Sequence, residues 1–254
     1  MPDKVIWITG ASSGIGRACS IEAASRGYKI AITARRLEKL ESLKKELIEK
    51  GTNKENIFIS TADVTSLEQV EKSYQEIKNH FKKINILLAN AGSHTPASAK
   101  KFDVSSYKKL FDLNLFGALN CIEAVLDDML LNKKGHIVGV SSVAGYSALP
   151  TAAAYGASKS ALTYFLNSLR FDLKPKGIDI TVVSPGFVKT ELTDKNDFEM
   201  PFIIQADLAA KYMLDGIARR DYEIHFPYRF TLIMKFLRLL PQRLYHFIVT
   251  KTVK

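Results

Sequence analysis

The chain is poor in several residue types, and each scarcity excludes something. Among 254 residues there are 2 cysteines and 1 tryptophan. Cys19 and Cys121 stand far apart and match no zinc-ligand spacing, so two reduced, buried thiols are expected and a disulfide framework has no support. None of the 5 histidines has a ligand partner at helical spacing, and no His-Glu-x-x-His pattern occurs. His136 is expected to open a strand, and no metal site is expected. The longest stretch without a charged residue, 135–158, is broken by Pro150, glycines and serines, and reads as strand, loop and helix start rather than a membrane span. No signal-peptide pattern is apparent, because the first residues lead straight into a short apolar strand. With disulfides and export signals both absent, a cytoplasmic location is expected.

Acidic residues are also in short supply. There are 26 Asp and Glu against 36 Lys and Arg, a formal charge of +10. Such an excess suits anionic ligands, acidic carrier proteins or a membrane surface. No nucleic-acid-binding motif accompanies it, so no nucleic-acid partner is expected. The imbalance is partly local, since Arg219 to Lys254 holds eight Lys or Arg and two acids.

What is present is an alternation. Short runs rich in Ile and Val (4–9, 29–34, 56–60, 84–89, 136–141 and 179–184) predict strands. Between them, amphipathic segments at 14–26, 37–50, 66–81, 105–131 and 152–174 predict helices; in the last, Ala157, Ala161, Leu162, Phe165, Leu166 and Leu169 follow the helical period. Gly27, Gly51 and Gly177 sit where left-handed helix ends are expected, and Thr65 with Glu68 has capping-box spacing. Repeated β-α-β units predict an α/β fold, a single-domain Rossmann-type doubly wound parallel sheet flanked by helices on both faces. Ligands in such sheets lie beyond the carboxyl ends of the strands.

The first strand runs into Thr9-Gly10-Ala11-Ser12-Ser13-Gly14-Ile15-Gly16. Glycines in a strand-to-helix turn let backbone approach a pyrophosphate, and the next helix presents its amino-terminal N–H groups to that anion. Asp63-Val64 follows the third strand, Asn90-Ala91-Gly92 the fourth, and Asn114 lies in the fourth helix. Ser142 follows the fifth strand, then come Tyr155-x-x-x-Lys159 and Pro185-Gly186. This ordered set, over about residues 4 to 195, resembles the short-chain dehydrogenase/reductase family, with Ala89 standing where many members have a further asparagine.

The resemblance implies an NAD(P)-dependent oxidoreductase that moves hydride between a nicotinamide and a carbonyl or secondary alcohol. It implies that Gly10, Ser12, Ser13, Gly14, Ile15 and Gly16 cradle the nucleotide. Asp63 would bond the adenine amino group, with Val64 in backbone contact, and Asn90, with Ala91 and Gly92, would position the adenosine ribose region. Pro185, Gly186, Val188 and Thr190 would meet the nicotinamide end, Thr190 through its carboxamide. Tyr155 would exchange a proton with the substrate oxygen, Ser142 would hydrogen-bond that oxygen, Lys159 would hold the nicotinamide ribose, and Asn114 would anchor a water leading from Lys159 to solvent.

Two further expectations come from chemistry. Tyr155 and Lys159 share a helix face, and a nearby ammonium and the oxidised nicotinamide both favour the phenolate, so a tyrosine pKa lowered toward the operating range is expected. At the end of the second strand, where NAD-binding folds usually place a carboxylate, stand Ala34, Arg35 and Arg36. Two guanidiniums suit a 2′-phosphate, so NADP(H) is preferred over NAD(H).

Residues 1–227 are expected to form the catalytic domain, with an apolar substrate lid at 187–204, a helix at 206–219 and a strand at 223–226. Residues 228–254 form a basic, apolar helical extension. It has three open readings: packing on a sister subunit or on the domain itself, peripheral contact of 229–254 with an anionic membrane, or docking of an acidic carrier. The family resemblance implies a homodimer or homotetramer, and the apolar lid and basic tail suit a lipid-like carbonyl substrate, such as a 3-ketoacyl or keto-sphingoid chain. The competing class is a non-catalytic nucleotide-binding regulator on the same fold.

Overall fold

The computed structural model describes residues 3–95, 99–195 and 200–252. Part of the expected lid, 196–199, and the outermost residues of the two expected regions lie outside them. The order is β1 (Val5–Thr9), α1 (Gly14–Ser25), β2 (Lys29–Ala34), α2 (Leu37–Glu49), β3 (Ile57–Thr61), α3 (Leu67–Phe81), β4 (Ile86–Ala89), α4 (Val104–Phe111), α5 (Gly117–Leu131), β5 (Gly135–Val140), α6 (Ala153–Leu173), β6 (Ile178–Pro185), β7 (Val188–Lys189), β8 (Ile204–Gln205), α7 (Ala206–Arg219), β9 (Glu223–Phe226), α8 (Tyr228–Leu237) and α9 (Gln242–Thr252).

Seven strands form one sheet in the order β3-β2-β1-β4-β5-β6-β9, every pair parallel. A parallel sheet is buried on both faces, so its strands are apolar at nearly every position. In β1 the alternation sends Ile6 and Ile8 to the face packed by α1, α2 and α7, and Trp7 to the face packed by α3, α5 and α6. The Trp7 indole is fully buried and satisfied by Thr33 Oγ1 at 2.8 Å. On α2, Leu40, Leu43 and Leu47 recur at helical spacing and are buried, each contributing roughly 2 kcal/mol.

The three expected left-handed glycines have φ of 80° at Gly27, 91° at Gly51 and 80° at Gly177. Cys19 and Cys121 are buried free thiols, with burial raising the pKa of Cys121 to about 12. Three local expectations are corrected. The cap of α3 is Ser66, whose hydroxyl accepts from the Gln69 amide, one position beyond Thr65; the Thr65 hydroxyl instead donates to Asp63 Oδ1 at 2.8 Å. The helix expected at 105–131 is divided by a π-helical turn, Asp112–Phe116. The apolar stripe of α6 splits: Leu162 and Leu166 are buried, but Phe165 is 38% exposed and lies in a surface groove with Leu115, Leu119, Ala161 and Tyr164.

The sheet order reverses between β1 and β4, so the turns after these strands open on the same crevice. β7 and β8 are a parallel pair, two residues each and too short for periodicity to reveal, with β7 inside the expected lid and β8 at its end.

Candidate active site

The floor of the crevice is stitched by one threonine and one asparagine. Thr9 Oγ1 accepts from the amides of Asn90 (3.1 Å) and Ala91 (3.2 Å). Asn90 Nδ2 donates to the carbonyls of Thr9 (2.9 Å) and Gly10 (3.4 Å). At Gly16 even a methyl would be excluded, because a Cβ would lie 2.4 Å from the Gly10 carbonyl oxygen and 2.5 Å from Asn90 Nδ2. Gly10 itself has φ of 67° and faces the Ala91 backbone at 2.8 Å from an added Cβ. No side-chain hydrogen bond caps α1 at Ser13, which leaves its amino-terminal amides open to an anion.

Arginine lies at one end of this cradle. Arg36 Nη2 donates to Ser12 Oγ at 3.0 Å and Ser13 Oγ at 3.1 Å, and Nη1 is 3.6 Å from Glu191. Arg35 pairs with Asp63 at 3.5 Å. Burial would raise the Asp63 carboxyl, but the Thr65 amide and hydroxyl and the Arg35 guanidinium hold it below its ordinary value.

At the other end are Ser142, Tyr155 and Lys159. Ser142 follows β5, and its Oγ accepts from the Ala144 amide at 3.1 Å. Neighbouring Ser141 is spent on structure, donating to the Lys159 carbonyl oxygen at 2.9 Å and meeting Thr163 Oγ1 at 2.7 Å. The Lys159 side chain crosses the interior to donate to the Val140 carbonyl at 2.8 Å. Burial lowers its pKa to about 8.

The expected lowering of Tyr155 is not what the protein alone produces. Burial raises the phenol above its ordinary value, and the Ser142 side chain pulls only partly the other way. The lysine one turn on is directed at a carbonyl and is itself desolvated, so burial dominates.

Asn114 occupies the π-helical turn, fully buried. Its Oδ1 accepts from the Ser93 amide at 2.8 Å, while Nδ2 donates to the Ser93 carbonyl (3.0 Å) and to Ser158 Oγ (3.1 Å). Ser158 in turn donates to the Tyr155 carbonyl at 2.7 Å. The amide thus ties the loop after β4 to the first turn of α6, with one Oδ1 lone pair left over. π-turns are frequent at functional sites, and here the extra residue aims Asn114 inward.

These groups line one cavity of about 1050 Å³. Of the site residues expected from the sequence, Gly16 and Asn114 alone stay out of its wall. Val188 is buried, and Thr190 faces Gly14 across the turn, its Cγ2 3.2 Å from where a Cβ on Gly14 would lie. Several wall elements escaped the sequence reading, among them the loop residues Leu149 to Ala152, and two bear on the chemistry. His94 packs edge-on against the Tyr155 ring, centroids 4.6 Å apart, and its only signal was its place two residues after Asn90-Ala91-Gly92. The second is the carboxy-terminal extension: α8 supplies Phe230, Ile233, Met234 and Leu237, and α9 supplies Ile248 and Val249. Of its three readings, packing on the chain's own domain is therefore part of the answer.

Comparison with known proteins bears on the family and the fold. A family model described as short chain dehydrogenase matches residues 4–200. An uncharacterized oxidoreductase of Myxococcus xanthus is 37% identical over 245 residues, 96% of each chain. Among solved structures, a short chain dehydrogenase/reductase from Burkholderia phymatum in complex with NAD superposes with a TM-score of 0.84 at 24% identity, covering 92% of both chains. ElxO with NADP bound superposes with a TM-score of 0.78 at 28% identity, covering 88% of this chain and 97% of that one.

Proposed function

The chain belongs to the short-chain dehydrogenase/reductase family and is an NAD(P)-dependent oxidoreductase, and from that premise we propose that it is an NADP(H)-dependent enzyme acting on an extended, apolar carbonyl or secondary alcohol. The observation that carries this reading is a single cavity with three chemically distinct regions. One end has a glycine cradle beside Arg36, the middle has Ser142, Tyr155 and Lys159, and the outer wall is apolar.

When bound, the nucleotide supplies or accepts the hydride at the substrate carbon. The backbone of the glycine turn and the uncapped α1 terminus would hold its pyrophosphate, in a turn packed so closely on Gly10 and Asn90 that residue 16 admits no Cβ. Arg36 converges with Ser12 and Ser13 at this end of the cavity, and β2 ends without a carboxylate, which supports a grip on a 2′-phosphate. Asp63 and Val64 would border the adenine, and Asn90, Ala91 and Gly92 the adenosine ribose, all of them lining the same cavity. Pro185, Gly186, Val188 and Thr190 would border the nicotinamide, and Lys159 would hold the ribose beside it.

In the reducing direction Tyr155, kept protonated by burial, donates its proton to the substrate oxygen, and Ser142 stabilises the charge growing there. In the reverse direction the phenol must first lose that proton, which a charged Lys159 favours. Asn114, through Ser93 and Ser158, sets the positions of the groups around it. Phe187, Phe202, Phe230 and Met234 favour a lipid-like chain over a small polar ketone. The groove that includes Leu119, Tyr164 and Phe165 suits packing by a second copy, Tyr164 being 80% exposed.

A panel of carbonyl substrates, from short water-soluble aldehydes to long-chain 3-keto thioesters, followed by NADPH absorbance, tests the reading. Turnover rising with chain length is expected. No turnover of any member, or equal efficiency with NADH, contradicts it.

A further inference from the structure

The extension that closes the cavity has a second face. On α8, Tyr228, Leu232 and Phe236 recur every four residues and are 50, 57 and 64% exposed. Beyond it Leu239 is 80% exposed, and on α9 Leu244 and Phe247 are 45 and 57% exposed. Large apolar side chains concentrated on two consecutive helices are not scattered surface residues; they form an unpartnered surface.

Its charge identifies what covers it. From Ile224 to Thr252 there is no Asp or Glu, while Arg229, Arg238, Arg243 and Lys251 are exposed. Lys235 is the exception, spent inward on Glu223 at 2.6 Å. A second copy docking through this same face would bring cations against cations with no acid in the segment to offset them, which disfavours a symmetric dimer here. The groove on α5 and α6, the face proposed above for a second copy, contains none of these residues. No helix among the described residues is long and apolar enough to cross a membrane.

We propose that α8 and α9 seat the protein on the surface of an anionic lipid bilayer, with Leu232, Phe236, Leu239 and Phe247 entering the acyl boundary and Arg238 and Arg243 meeting lipid phosphates. The same helices place the cavity mouth at that surface. Ile233 lines the cavity and is 49% exposed, next to Leu232 on the outward face, and Phe202 lines it at 48%. A hydrophobic substrate can thus pass from the bilayer between Phe202 and Ile233 without crossing water. This route rests on the proposed reading of the cavity as the substrate site; the docking itself does not.

Docking on α8 and α9 also reaches the loop between Ser142 and Tyr155. Tyr245 of α9 donates to the Ala148 carbonyl at 2.6 Å, and Glu223 bonds both Lys235 of α8 and Tyr146. The extension is therefore fastened to the segment that carries the reacting groups.

Cosedimentation of the full chain with vesicles of phosphatidylcholine, with and without phosphatidylserine, tests the proposal. Binding to the anionic vesicles only, weakened by salt, is expected. Arg238→Glu with Arg243→Glu is expected to lower partitioning about 25-fold or more, at about fivefold per cation near an anionic surface. Phe236→Gln with Leu239→Gln is expected to lower it about tenfold. Neither pair lines the cavity, so NADPH-dependent turnover of a soluble aldehyde should stay within about twofold of wild type. That second readout separates a failure of docking from a failure of the oxidoreductase reading. A chain that stays in the supernatant with anionic vesicles at low salt overturns the proposal, as do variants that bind like wild type. Binding of polyglutamate without vesicle binding points to an acidic protein partner and also overturns it, as does a concentration-dependent mass abolished by the same variants.

Discussion

Replacing Arg36 by alanine isolates the basis of cofactor choice. The guanidinium is held by Ser12 and Ser13 at 3.0 and 3.1 Å, so it is ordered before any ligand arrives and loses little freedom on binding. A charge-assisted hydrogen bond is worth about 1.5–3 kcal/mol. Arg36 is 44% exposed, so solvent and salt screen it, and the lower half of that range applies, about 1.5–2 kcal/mol. Each arginine faces one carboxylate, Arg35 at 3.5 Å from Asp63 and Arg36 at 3.6 Å from Glu191, but Arg36 is the one held on the glycine turn by Ser12 and Ser13, so Arg35 is an incomplete substitute. Arg36→Ala is therefore expected to lower kcat/KM for NADPH about 10- to 30-fold while changing that for NADH by less than about twofold. The assay is a pair of initial-rate series with one carbonyl substrate at saturation, at low and at moderate salt. An equal loss with both cofactors would refute the assignment of Arg36 to a phosphate, and no loss with either would refute its place in the site.

Two further outcomes follow from the buried ionisable groups. Lys159, lowered to about 8 by burial, carries its charge below that pH and loses it above, so kcat/KM for NADPH is expected to fall by about tenfold per pH unit beyond about pH 8. A profile flat to pH 9.5 would contradict a role for the ammonium. His136, bonded to Thr181 Oγ1 at 2.8 Å, is pulled down to about 4 by burial, so the folded state holds it neutral while the unfolded chain protonates near its ordinary value. Its contribution is therefore complete above about pH 6.5 and is lost as pH falls toward 4, up to about 3 kcal/mol in all. Denaturant unfolding of wild type and His136→Gln across this range should show wild type losing more stability; parallel curves would contradict it.

Much of the architecture was legible because parallel strands buried on both faces leave uninterrupted Ile and Val runs, and because Gly27, Gly51 and Gly177 mark helix ends by backbone necessity. The glycine turn and the spacing of Ser142, Tyr155 and Lys159 were legible for a similar reason: close approach and a shared helix face are local requirements. What stayed hidden depends on the third dimension. The π-turn at Asn114 adds one residue to a helix without disturbing its apolar pattern. His94 meets Tyr155 only once β4 and α6 are packed. The outward half of the α6 stripe has the same periodicity as the inward half, so periodicity could not tell Phe165 from Leu166. The depth at which Tyr155 lies was also hidden: the sequence shows the neighbouring lysine but not the burial that, in the protein alone, raises the phenol.

Tyr155→Phe tests the account most directly, because it removes one hydroxyl and leaves the ring packed against His94. Stopped-flow oxidation of NADPH by a carbonyl substrate should slow by about 100- to 10,000-fold, the range for a positioned general acid. NADPH affinity measured by fluorescence titration should change by less than about twofold. Turnover near the wild-type rate, or parallel loss of turnover and nucleotide binding, would contradict proton transfer by this phenol.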